Sequence, residues 1–109
     1  MTANTERDVA ARLRKRFGEL QELLAVEREN NWVRGIEACL ARLDGGASTP
    51  EDRGEMLLDV ASMYRSMTSG PGSFSDFHVW RDDFNERARA NAALTAITEE
   101  LWRLTFDIR

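Results

Sequence analysis

The chain has one cysteine, Cys39, one histidine, His78, and one lysine, Lys15. A lone cysteine forbids an intramolecular disulfide and removes any zinc site built on cysteine pairs, so the fold must rest on its core, and a reducing compartment suits it. A lone histidine leaves no His-Glu-x-x-His pattern, and no paired Glu-x-x-His or calcium-loop pattern occurs either, so no metal or other cofactor is expected. Long apolar runs are also missing. None approaches the roughly 18 residues of a membrane span, and Met1 to Asp8 is polar where a signal peptide needs an apolar stretch. A cytoplasmic protein is expected. Positive charge is not in surplus: 15 Lys and Arg stand against 19 Asp and Glu, a net charge of -4 with a pI near 5.0. That balance argues against a general nucleic-acid binder, which needs an excess of cations for phosphate, and it favours a basic partner.

What is present is a globular balance, 42% hydrophobic and 31% charged, in 109 residues, enough for one domain spanning 1–109. From Thr5 to about Arg28 the apolar positions Val9, Leu13, Phe17, Leu20 and Leu24 step by three and four, which predicts an amphipathic helix with Thr5 as its cap. Gly18 inside it either weakens the helix or permits a close crossing. Asn30 and Asn31 read as the cap of a second helix whose buried stripe is Val33 or Trp32, Ile36, Leu40 and Leu43, with Cys39 beside it, and which stops at Gly45-Gly46. Thr49-Pro50-Glu51-Asp52 opens a third helix, with a capping threonine, proline at the first position and acids in the first turn. It runs to about Thr68 and buries Met56, Leu57, Val60, Met63, Tyr64 and Met67. Ser69 to Ser73, with two glycines and Pro71, must leave the helix. Asp83-Phe84-Asn85-Glu86 is spaced as a capping box for a last helix to about Thr105, which buries Leu94, Ile97, Leu101 and Leu104. The expected architecture is all-α: a four-helix, mainly antiparallel bundle with one Gly/Pro-containing loop between the third and fourth helices. In an alternative arrangement, Phe74 to Val79 forms a strand-like segment.

Catalysis is poorly supported. Asp76 and His78 with Ser73 or Ser75 lie within one short segment, and a triad needs its members aimed from separate rigid elements with an oxyanion site nearby. A non-enzyme is expected. Arg12, Arg14, Lys15 and Arg16 are a basic cluster that spreads around the first helix, with Glu19 and Glu22 in reach as ordinary partners. The acids are better organised, since Asp52, Glu55 and Asp59 fall on one edge of the third helix. From Asp44 to Asp59 five acids face one arginine, a local balance of -4. That edge, if solvent-facing and without cationic partners, would attract a basic protein surface. In the following loop Phe74 or Phe77 is expected to anchor on the core and Trp80 to stay partly exposed, where tryptophan often serves as an interface anchor. The candidate partner-binding residues are therefore Asp52, Glu55, Asp59, Asp76, Phe77, His78 and Trp80.

The run Gly70-Pro71-Gly72-Ser73-Phe74-Ser75-Asp76-Phe77 resembles the G-x-G-S-F-x-D-[LIF] signature of a small family of bacterial helical proteins, in which it follows one helix and precedes the last. Pro71 and Ser75 stand where that signature commonly has methionine and asparagine. The resemblance implies an immunity or antitoxin role, because similar proteins often accompany toxin genes. The expected partner is then a cognate protein toxin with a basic surface. The alternative is a self-associating structural or regulatory bundle, a homodimer in which Leu58, Trp80 or Trp102 buries against a second copy.

Overall fold

A computed structural model of the chain describes residues 3–28, 31–69, 74 and 77–108. They form α1 (Ala3–Val26), α2 (Val33–Asp44), α3 (Pro50–Thr68) and α4 (Phe84–Phe106), and no strand occurs among the described residues. The protein is a four-helix, mainly antiparallel bundle measuring 49 × 22 × 22 Å. α1 and α3 each touch the other three helices, whereas α2 and α4 do not touch each other. Ion pairs mark the registers. Arg14 meets Asp44 across α1 and α2, Arg16 meets Glu100 across α1 and α4, and Glu27 just past α1 meets Arg81 just before α4.

The stripes foreseen from the sequence build the core. Leu13, Phe17, Leu20 and Leu24 of α1 are fully buried with Ile36 and Cys39 of α2, Val60 of α3 and Leu101 of α4. Phe17 and Tyr64 meet edge to face at 5.6 Å, a favourable aromatic geometry. Met63, Met67, Leu40 and Leu104 are only partly buried, and Thr105 and Ile108 complete the core instead. The Thr105 hydroxyl is satisfied by donating to the Leu101 carbonyl at 2.8 Å, which lets a polar residue enter an apolar layer.

Two helix starts match their sequence signals. Thr49 Oγ1 accepts from the Asp52 amide at 3.1 Å, and Asp83 Oδ2 accepts from the Glu86 amide at 2.9 Å. Two others need correction. α1 begins at Ala3, so Thr5 lies inside the helix rather than capping it. The residue before α2 is Trp32, which makes no side-chain cap; Asn31 precedes it in a turn and Asn30 lies outside the described residues. α1 also stops at Val26, because Arg28 enters the left-handed region at φ 55° and turns the chain back toward α2. At the far end of the molecule Arg65 of α3 donates to the carbonyls of Thr105, at 2.6 Å, and Ile108, closing the C-terminus of α4 with a guanidinium from another helix.

Candidate functional site

Where α3 crosses α4, the segment between them adds a third wall and a groove of about 410 Å³ opens. Tyr64 and Thr68 come from α3, Leu94, Thr98 and Trp102 from α4, and Phe74, Phe77 and His78 from the connection. Phe74 is the plug of this connection: it is buried, lies against Trp32 at 5.9 Å and stacks on Phe77 at 5.9 Å, while the Phe77 amide donates to the Phe74 carbonyl at 3.0 Å. The expected anchoring by a loop phenylalanine is thus the geometry found. Beyond it Asn91 clamps the backbone of Val79, accepting from its amide and donating to its carbonyl, both at 2.8 Å, and donating also to the Arg87 carbonyl at 3.0 Å. Arg81 then donates to Glu27 through both terminal guanidinium nitrogens, Nη1 and Nη2, one to each carboxylate oxygen. The segment 77–81 is therefore fixed to α4 and to the end of α1.

The groove is apolar in its walls and sparing in free polar groups. The hydroxyls of Thr68 and Thr98 donate back to the carbonyls of Tyr64 and Leu94, each at 3.1 Å. His78, Thr95 and Glu99, all exposed, add polar side chains to the lining. Trp102 forms the outer lip, 56% exposed, and stacks on Phe106 at 4.9 Å with 24° between the ring planes. Burial raises the Tyr64 phenol well above its ordinary range and pushes the Cys39 thiol up to about 11, so neither is an ionised nucleophile at neutral pH.

The anticipated contact residues separate into three places. Phe77 and His78 line the groove. Trp80 is 68% exposed, with the Arg87 guanidinium 3.6 Å above its ring, at the start of α4. Asp76 and the flanking Gly70 to Ser73 and Ser75 lie outside the described residues. The acidic edge sits elsewhere, and its expected lack of cationic partners is corrected. Asp59 is bound by Arg42 at 3.0 Å and nearby Asp44 by Arg14 at 2.5 Å, because α2 and α1 each present an arginine across the helix boundary. Asp52 and Glu55 are exposed and form no ion pair among the described residues. The two expected contact regions do not form one patch either: Arg14, beside the acidic edge's end of α2, and Glu27, beside Trp80, stand about 20 Å apart along α1 at 1.5 Å per residue. Three members of the basic cluster are also engaged internally, Arg12 and Arg16 with Glu100 and Arg14 with Asp44.

Comparison with protein-family models, curated proteins and solved structures found no match. The site must therefore be read from its own chemistry. Among the described residues no three of His, Cys, Asp and Glu converge as metal ligands, and no helix is long and apolar enough to cross a membrane. Sequence reasoning missed the groove and the Asn91 clamp. The groove arises from a crossing that helical periodicity does not encode, and a single mid-helix asparagine carries no signal until its backbone partner is known.

Proposed function

We propose that this chain is a non-enzymatic, cytoplasmic protein-binding module that takes up an apolar segment of a partner protein in the groove between α3, α4 and their connection. The observation that carries this reading is the groove itself, walled by Phe74, Phe77 and Trp102, with the exposed Trp102 and Phe106 stacked at its lip. Large, rigid aromatic side chains in a water-excluding hollow are what the anchor of a partner requires, since they bury area at small cost in conformational entropy. The fixed backbone at Val79 and the core plug at Phe74 support a preformed site, which spares the ordering cost of binding.

Resemblance of the loop to toxin-associated proteins supports an immunity-type form of this function, occlusion of a toxin's working surface. The pairing of Asp59 with Arg42 removes part of the electrostatic support for docking through the acidic edge and leaves Asp52 and Glu55 to steer a basic partner. Co-expression with the product of the adjacent gene tests the reading. Co-purification that survives in wild type and is lost on Thr98→Arg, which fills the groove from an α4 wall, is the expected result. Failure to form a complex or to protect cells from that product would remove the immunity-type form. A small molecule in the groove instead of a protein would overturn the protein-binding reading as a whole.

A further inference from the structure

α4 carries a second apolar seam on the side turned away from the core. Leu94, Ile97 and Leu101 face inward, whereas Phe84, Ala88, Thr95 and Trp102 are exposed, as is Phe106 at 47%. Their steps of four, seven, seven and four keep them on one strip of a helix, the spacing of a helix-pairing seam. α4 touches only α1 and α3, so no other helix covers this strip. An outward strip on a surface helix is normally polar.

The order of side chains along the strip identifies its occupant. Phe84 and Phe106 stand eleven residues on either side of Thr95, and Ala88 and Trp102 stand seven on either side. The strip therefore reads the same way from both ends in position, and Trp102 is balanced by Ala88. When two such helices pair antiparallel about a two-fold axis through Thr95, each Trp102 meets the space over the partner's Ala88, each Phe84 meets the partner's Phe106, and the centre closes on threonine. Charge follows the same symmetry. Glu99 and Arg89 lie on one flank of the strip, both exposed and neither in an ion pair among the described residues. In an antiparallel pair equal flanks face each other. Glu99 of one copy then falls within two residues of Arg89 of the other, a rise of about 3 Å that long side chains span. The contact forms twice. A partner of unrelated sequence would have no reason to match this internal symmetry, whereas a second copy matches it by construction.

We infer that the outer face of α4 is a self-association surface, on which a second copy of this chain packs antiparallel about Thr95 with Glu99 opposite Arg89. This rests on the reading of the chain as a protein-binding module and names one partner for it, on a strip that shares Thr95 and Trp102 with the groove lining. Sedimentation equilibrium of the full chain should show a reversible dimer. Glu99→Arg and Arg89→Glu each set two pairs of like charges across the axis and should weaken dimerisation by about tenfold or more. Mixed in equal amounts, the two variants restore both pairs and should recover a heterodimer of wild-type affinity. Circular dichroism serves as the folding control, since both side chains are exposed. A monomer at every concentration, or a dimer indifferent to both charge reversals, overturns the inference. The groove reading fails separately, through loss or retention of the Thr98→Arg effect on co-purification, and of the two charge reversals Arg89→Glu is the one that leaves the groove lining untouched, because Glu99 belongs to that lining.

Discussion

At the scale of single residues, the same residue type does opposite things in different helices. Gly18 sits in the middle of α1, and a methyl group added there meets nothing within 4 Å. It supports no close crossing, so Gly18→Ala should stabilise the protein by about 1 kcal/mol through helix propensity alone, read by urea denaturation. Gly35 on α2 is different. A methyl group there would stand 2.6 Å from the sulfur of Met67 on α3, so this glycine permits the approach of the two helices. Gly35→Ala should gain nothing comparable, because the Met67 side chain has to move aside. Cys39 is the other residue whose environment decides its chemistry. It is fully buried and its thiol is pushed up to about 11, so thiol reagents at pH 8 should modify it only at the rate at which the bundle opens. Fast stoichiometric labelling of native protein would contradict the packing of α2 on α1 and α3.

At the scale of elements, the connection into α4 is held by one side chain more than by its own sequence. Asn91 makes two hydrogen bonds to Val79 and one to its own helix at Arg87. Asn91→Ala leaves the amide and carbonyl of buried Val79 without these partners and should cost about 1–3 kcal/mol. Hydrogen exchange checks this directly: the Val79 amide should lose its protection while those in the middle of α4 keep theirs. The helices themselves were largely legible. Thr49-Pro50 and Asp83 start α3 and α4 where their capping chemistry says, and Gly45 follows the last residue of α2. Those signals act within three or four residues, which is why sequence suffices for them. The start of α2 was misplaced onto the asparagines because their capping propensity is local, whereas the chain direction there is set by the left-handed turn at Arg28 and the packing of Trp32 on Phe74.

At the scale of the whole molecule, α1 is tied to α4 by two charge clusters along their common length. Arg81 donates to Glu27 and Arg16 donates to Glu100, and in each case the hydrogen bond from the arginine holds the carboxyl below its ordinary value. A carboxylate with a lowered folded pKa contributes stability that is fully present above its unfolded value, near 4.5, and is lost as pH falls through the folded value. Thermal melts should therefore be flat near neutrality and fall below about pH 4.5, and Glu27→Gln should reduce that acid-side slope. An unchanged slope would mean that the pair contributes nothing to α1–α4 docking. What the sequence determined by itself is the number of helices, their inward stripes and two of their caps, because periodicity and capping are properties of short windows of chain. The placement of Arg42 against Asp59, of Phe77 and His78 around a groove, and of an aromatic strip along the groove's α4 lip was decided only by tertiary structure. Each depends on which helices cross and at what level, a choice made by the summed packing of the core rather than by any residue within the site.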